Sequence, residues 1–308
     1  VAALTSLRAK SHAKINLGLE VLGVRSDGYH ELRTLFQTVD LHDDITITLR
    51  PRSQAIEVAC DHPLVPEGES NLAHRAAAAL RQFGRPTGGV RIEIKKRIPV
   101  GGGLGGGSSN AAVVLMGLDR LWRLGLGRAG LQPLARRLGA DVPYFLVGGT
   151  ALGLARGDEV YPLHRQIRGH VVIADPGSPV STAAVFRRID ARLTPRENSN
   201  TIFRFTSRDL EGSGWSLLTN DLEPAALEES SVLKARAGRI RGLLVREGAL
   251  LAALSGSGSS YFGFFDDPAR ARGAVVALQE AGVRALRTRT LSVEQYRRAW
   301  VSGKAPLG

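Results

Sequence analysis

Between Pro99 and Ala112 the chain reads PVGGGLGGGSSNAA, which puts six glycines in seven positions around one leucine, Leu104. A stretch so poor in Cβ atoms does not hold a strand or a helix by its own propensity, so its neighbours decide its purpose. Val90–Ile94 ahead of it alternates like a strand, and Ala111–Trp122 behind it carries the apolar residues of a buried helix. In a strand–glycine loop–helix unit, successive backbone N–H groups line one concave face. The helix start then adds unpaired donors and a partial positive charge. Such a unit binds phosphate. A flexible turn is the plainer reading of the same glycines.

Three common phosphate loops do not fit. A dinucleotide fold needs G-x-G-x-x-G after its first strand and an acidic residue about twenty positions on. Here the register Gly102-Gly103-Leu104-Gly105 does not give that pattern convincingly, and Asp119 falls inside the following helix. A Walker A loop ends in Gly-Lys-Ser/Thr, whereas this one ends Gly107-Ser108-Ser109. The H-R-D and D-F-G motifs of protein kinases are missing.

At 308 residues the chain has room for two domains with separate cores, and 43% hydrophobic with 23% charged residues describes an ordinary globular protein. The net charge of +12 is almost all arginine, because lysine occurs at only six positions. Pairs such as Arg136–Arg137, Arg187–Arg188 and Arg297–Arg298 are scattered and lack interleaved aromatics. That argues against nucleic acid and for a polyanionic small substrate, although arginine-rich codon usage explains the charge equally well. Cys60 is the single cysteine and reads as a strand residue, which excludes an internal disulfide. With no spanning or signal-like stretch, the expected location is cytoplasmic, without a membrane partner, as a monomer or weak homodimer.

The first third is strand-rich. Ala13–Val21 alternates, Asp27-Gly28 marks a hairpin turn, and Leu35–Leu41, Ile45–Leu49 and Ile56–Cys60 read as strands, with Asp43 and Asp44 as a break. Helices are expected over Asn71–Phe83, capped by Ser70, and over Arg128–Leu138, stopped by Gly139. The strand Thr150–Ala155 leads to a surface turn, Ala155–Asp158, and the division between domains is expected at 160/161, giving units 1–160 and 161–308. The second half reads as strands His170–Ala174, Tyr261–Phe265 and Val283–Thr290, with helices Ser181–Ile189, Leu222–Glu229, Lys234–Glu247 and Pro268–Ala281. That is an α+β layer of helices on an antiparallel sheet. A second small-residue loop, Ser255–Ser260, precedes the Tyr261 strand. Asp190–Ser216 is expected to be irregular and Arg297–Gly308 a frayed end.

The P-V-G-G-G-L-G-G-G-S-S-N-A-A loop resembles that of the GHMP kinases, the superfamily of galactokinase, homoserine kinase and mevalonate kinase. Ala13–Leu17 is similar to the family's first motif and Leu254–Ser259 to its third. Within the superfamily, Lys14–Leu17 followed by Arg25–Leu32 (RSDGYHEL), with Gly139–Pro143 and Asn220–Glu223, resembles the 4-diphosphocytidyl-2-C-methyl-D-erythritol kinases of non-mevalonate isoprenoid synthesis. The resemblance implies a two-domain GHMP fold. Its N-terminal domain would be ribosomal-protein-S5-domain-2-like, its C-terminal domain ferredoxin-like, and the active site would lie in the cleft between them. It implies transfer of the γ-phosphoryl of ATP, with Mg²⁺, to the tertiary 2-hydroxyl of a cytidine diphosphate-linked polyol. A GHMP kinase for homoserine or a mevalonate-type acceptor is the alternative, which the D-G-Y-H turn disfavours.

Carried onto this chain, the resemblance makes Asp141 the base and Lys14 its electrostatic partner. Read alone, Asp141 is equally an N-cap and Lys14 a solvent-facing strand residue. ATP would lie on Pro99, Val100, Gly101, Gly102, Gly103, Leu104, Gly105, Gly106, Gly107, Ser108 and Ser109, with adenosine near Asn71 and Lys96. Ser108 or Ser109 would reach the metal, unless each only caps the helix. The acceptor would meet Asn16, Tyr29, His30, Thr182, Phe186, Gly256 and Ser257. Tyr29 and Phe186 would stack on opposite faces of cytosine, His30 would bond its edge, and the Ser255–Ser260 loop would approach the diphosphate. Phe186 is otherwise a core residue of an amphipathic helix.

Overall fold

Two long strands organise the first half of the chain in this computed structural model, which describes residues 5–84, 86, 88–190, 202 and 213–300. β1 (Ser6–Val24) and β2 (His30–Arg50) form an antiparallel hairpin. It closes at Gly28, whose φ of +81° lets its N–H reach the Arg25 carbonyl at 3.0 Å. The expected break at Asp43-Asp44 does not occur. Asp43 is fully buried inside one continuous β2, where its carboxylate accepts from the backbone N–H of Arg97 (2.8 Å) and Ile98 (2.9 Å) and from Lys96 Nζ (2.6 Å). Three donors from another segment outweigh the local turn preference of Asp-Asp.

β3 (Ile56–Cys60), β4 (Gly89–Lys95), β5 (Thr150–Leu154) and β6 (Glu159–Pro162) complete a six-stranded sheet of order β3-β4-β2-β5-β6, with β1 also on β2. Only the β3–β4 pairing is parallel among those described. Four helices join this sheet in its core: α1 (Leu72–Gly84), α2 (Gly106–Leu121), α3 (Gly127–Leu138) and α4 (Val142–Val147). The α1 cap is Asn71 rather than Ser70: its Oδ1 accepts from Ala73 N at 2.8 Å, while Ser70 turns back to the Glu67 carbonyl. α2 starts at Gly106, five residues ahead of the expected Ala111, so the end of the glycine loop is helical.

The second sheet, order β10-β7-β9-β8, is antiparallel throughout. It is built from β7 (His170–Asp175), β8 (Leu251–Leu254), β9 (Tyr261–Phe265) and β10 (Arg284–Arg289). Helices α5 (Thr182–Asp190), α6 (Glu223–Glu229), α7 (Ser231–Arg246) and α8 (Pro268–Glu280) complete this α+β half. Alternation along β7 and β9 sorts the side chains into two cores. Val172, Ala174, Tyr261 and Phe265 pack among the helices. Val171, Ile173, Phe262 and Phe264 pack against Ile15, Leu17 and Leu35 of the first hairpin. A third core thus joins the two halves.

The expected frayed end is instead partly a helix, α9 (Val293–Ala299), opened by a Ser292/Gln295 capping box. Tyr296 is fully buried and donates to the Phe145 carbonyl, and Trp300 O accepts from Lys10 N at 2.8 Å. Residues after Trp300, and nearly all of the segment Asp190–Ser216, lie outside the described residues. Among the described residues, no helix is long and apolar enough to cross a membrane.

Candidate active site

The glycine loop is anchored at its middle. Leu104 is buried in the core between the halves, and its carbonyl accepts from Lys14 N at 3.0 Å. This anchor accounts for the leucine between two glycine triplets. Gly105, at φ +70°, takes the N-cap position of α2 with no side-chain cap. The N–H groups of Gly106, Gly107 and Ser108 therefore have no partner within the helix, while Ser109 N already bonds Gly105 O at 2.8 Å. The two serines differ. Ser109 is fully buried and accepts from Ser11 Oγ at 2.8 Å, whereas Ser108 is half-buried.

Asp43, a residue the sequence pattern read only as a strand break, braces this helix start. Its Oδ2 lies 2.6 Å from Lys96 Nζ. The Asn110 amide, oriented with its nitrogen as donor, reaches Asp43 Oδ2 at 3.0 Å, Ser11 Oγ at 2.6 Å and Gly106 O at 3.0 Å. A Cβ on Gly106 would stand 2.9 Å from Lys96 Nζ, so the ammonium lies directly against the first turn of α2. Asn71 sits at the head of α1, whose Leu72 approaches Gly107.

The second small-residue loop interlocks with the first instead of facing it across open space. Ser259 N donates to Gly101 O and Ser260 N to Gly102 O, each at 3.2 Å, and Ser255 Oγ donates to Gly103 O at 3.0 Å. Asn220 fixes the second loop from behind, its Nδ2 donating to the carbonyls of Leu254 (2.9 Å) and Gly256 (2.7 Å). Its place in the Asn220–Glu223 motif was visible, but not this job. A Cβ on Gly103, at φ +72°, would lie 2.0 Å from the Ser255 carbonyl oxygen. Gly103→Ala is therefore expected to cost more than about 2 kcal/mol of stability and to weaken ATP binding at least tenfold, checked by thermal melting and nucleotide titration.

Lys14 and Asp141, 127 positions apart in sequence, meet beside these loops: Lys14 Nζ is 3.4 Å from Asp141 Oδ2. Lys14 is 3% exposed, not solvent-facing. Its ammonium donates to Asn16 Oδ1 at 2.6 Å and lies 5.6 Å from the centre of the Phe36 ring. Asn16 in turn donates to Thr34 Oγ1 at 2.7 Å, so the lysine is held by a chain of fixed partners. Asp141 occupies the N-cap position of α4 but makes no side-chain cap bond. Its side chain keeps 35% exposure. The carboxylate is not used for capping. Behind it, burial pushes the Tyr144 phenol well above its usual range, and the neutral hydroxyl donates to Gly149 O at 2.7 Å. Gly256 closes the other side, where an added Cβ would lie 3.2 Å from Asn16 Oδ1 and 3.3 Å from Lys14 Nζ.

The remaining residues form two pairs. Thr182 and Ser257 share a hydroxyl contact at 2.8 Å, joining α5 to the second loop. His30, at the base of the hairpin turn, lies 4.8 Å from the Phe186 ring, tilted by 35°. Phe186 thus stacks on His30, and it is half-buried against the second core rather than inside it. Tyr29 stands apart from Phe186, 55% exposed at the tip, with the Arg156 guanidinium 4.7 Å above its ring. The sequence pattern gave Arg156 no role beyond a turn.

Residues 71–149 match the GHMP kinases N terminal domain, and residues 208–284 the GHMP kinases C terminal domain. The 4-diphosphocytidyl-2-C-methyl-D-erythritol kinase of Geobacter metallireducens is 42% identical over 275 residues, covering 89% of this chain and 95% of its own. That of Alkaliphilus metalliredigens is 37% identical, covering 96% and 99%. A crystal structure of 4-(cytidine 5'-diphospho)-2C-methyl-D-erythritol kinase superposes with a TM-score of 0.73 at 37% identity, over 92% of this chain and 99% of that one. An L. major mevalonate kinase, at 15% identity and a TM-score of 0.71 over 95% and 98%, shares the fold alone.

Proposed function

The chain belongs to the 4-diphosphocytidyl-2-C-methyl-D-erythritol kinases of the GHMP superfamily, and on that premise we propose that it transfers the γ-phosphoryl of ATP to the 2-hydroxyl of 4-diphosphocytidyl-2-C-methyl-D-erythritol, releasing ADP. The observation that carries the reading is an uncapped, partly exposed Asp141 held 3.4 Å from the buried Lys14 ammonium, beside two interlocked glycine loops. A tertiary hydroxyl is hindered and weakly acidic, so its proton needs a positioned acceptor. Asp141 takes that proton as the oxygen attacks the γ-phosphorus. Lys14 holds the carboxylate in place, and its charge offsets that of the transferring group. The uncapped N–H groups of Gly106, Gly107 and Ser108, with Lys96 against them, hold the phosphate chain without moving.

Mg²⁺ takes oxygen ligands, and the half-buried Ser108 hydroxyl at an uncapped helix start beside a phosphate cradle suits it better than Ser109, already bonded to Ser11. Bound there with the phosphates, the ion supplies charge neutralisation. Asn71 and Lys96 remain the choices for the adenosine side, though Lys96 acts through its pair with Asp43. On the acceptor side, Phe186 and His30 together make one wall for cytosine, with the exposed Tyr29 as the partner across it. Asn16, Thr182, Ser257 and Gly256 line the way to the phosphoryl acceptor. Phe186→Ala is expected to raise KM for the cytidyl substrate about tenfold with KM for ATP unchanged, in line with the stacking energy of one base; steady-state kinetics in both substrates reads this.

A division at 160/161 would cut β6, so we place the change of domain in residues 163–169, between β6 and β7, and assign α9 to the N-terminal domain on which it packs. A cytoplasmic location and a monomeric or weakly dimeric state belong to the same reading. The test is direct. Purified protein with Mg-ATP should release ADP on addition of the cytidyl substrate, and not with homoserine or mevalonate. Turnover with either of those and none with the first would overturn the assignment.

A further inference from the structure

The β1–β2 hairpin carries a bulge close to its catalytic stretch. His12 pairs with His42 and Ala13 with Val39, so Asp40 and Leu41 have no counterparts on β1. A bulge re-aims side chains, and here it turns Asp40 toward the histidine pair. One ligand atom from each of His12, Asp40 and His42 lies within 4.8 Å of the other two. His12 is fully buried, and neither of its ring nitrogens makes a hydrogen bond; Asp40 Oδ1 stands 3.6 Å from Nε2. His42 Nδ1 is likewise buried without a partner, while its Nε2 stands 3.6 Å from Asp44 Oδ1. Buried imidazole nitrogens left unpaired are costly, and nothing in phosphoryl transfer uses them.

We propose that His12, Asp40 and His42 bind a divalent transition-metal ion of the zinc type. Two imidazoles and one carboxylate are the ligands such ions select, whereas Mg²⁺ prefers oxygen alone. Ligands at about 2.0–2.1 Å from a tetrahedral ion stand about 3.3 Å apart, so rotation of the three side chains closes the site. Asp40 is already oriented for it. Its Oδ2 is held by Arg289 Nε at 3.0 Å, which leaves Oδ1 toward His12. The His12 ring is fixed edge-on against Tyr296 of α9, at 5.6 Å. A cavity of about 280 Å³ lined by Asp40, His170, Arg287, Thr288 and Arg289 adjoins the cluster at Asp40. The arginines in that wall repel a loosely held hydrated cation, so retention depends on direct ligation by the imidazoles. The ion would tie β1 to β2 across the bulge. None of its ligands belongs to the phosphate loops.

The experiment uses the full chain, free of any affinity tag and stripped with a chelator, titrated with Zn²⁺ alone in competition with a chromophoric chelator. One equivalent per chain is expected, with H42Q and D40N each weakening binding at least about tenfold and H164Q, a histidine elsewhere, leaving it unchanged. Co²⁺ in place of Zn²⁺ should give a visible absorption band that H42Q and D40N both alter. His12 is left intact because a substitution at a fully buried position would disturb the packing around it, and circular dichroism checks that the two variants remain folded. Absence of a stoichiometric site, affinity unchanged in H42Q or in D40N, or equal weakening in H164Q would each overturn the proposal.

Discussion

Asp141→Asn is expected to lower kcat by about 10²–10⁴-fold, the range of a lost general base, while ATP binds as before. Asparagine keeps the volume and position of the aspartate at the head of α4, and the side chain caps nothing, so the helix loses no bond. The substitution removes only the charge facing Lys14 at 3.4 Å and the ability to take a proton. The proposed nucleotide contacts lie with the glycine loop, away from this substitution. Single-turnover measurement of the chemical step, beside nucleotide titration, separates the two effects. A variant retaining near-normal turnover would remove Asp141 from the mechanism.

Lys14→Met gives the second large effect, with an opposite sign for the fold. The ammonium is almost fully removed from water and rests on one neutral acceptor, Asn16 Oδ1, and one carboxylate that is itself partly solvated. Burying a charge so sparsely compensated does not stabilise, and an apolar side chain of similar length suits the site, with Phe36 beside it. We therefore expect kcat to fall about 10²–10³-fold, as for loss of one preorganised electrostatic contact, with Tm unchanged or raised. Activity and melting measured on the same preparation decide it. A parallel fall in both would make Lys14 a structural residue.

The parts of this architecture legible in sequence were those with short-range causes. Alternation from Ile15 to Val21 marked β1, and the Asp27-Gly28 turn marked the hairpin. Strand and helix flanked the glycine loop as their patterns indicated. What escaped was set by partners far along the chain. Gly106–Asn110 has poor helix propensity, and its helical turn is held by Ser11, Lys96 and Asp43. Asp43 looked like a turn residue because its three donors, at positions 96–98, are invisible locally. β6 is four partly exposed residues with no periodicity to read. The Ser292-x-x-Gln295 box, by contrast, was a local signal for α9 that stood in the sequence. For the candidate site, the pairing of Phe186 with His30 depends on how α5 meets the hairpin, which no local pattern carries.

The return of α9 to the first sheet has a mechanical consequence. The chain crosses between its two halves twice, out after β6 and back after β10, and Thr38 and Leu291 fasten the second crossing by a 2.9 Å backbone bond. Two straps do not act as a single hinge; they confine relative motion to rotation about the line joining them. With Ile15 and Leu17 packed against Ile173 and Phe262 across the junction, pulling the halves apart would expose apolar surface on both. With that shared core, the two sheets are expected to unfold as one cooperative body.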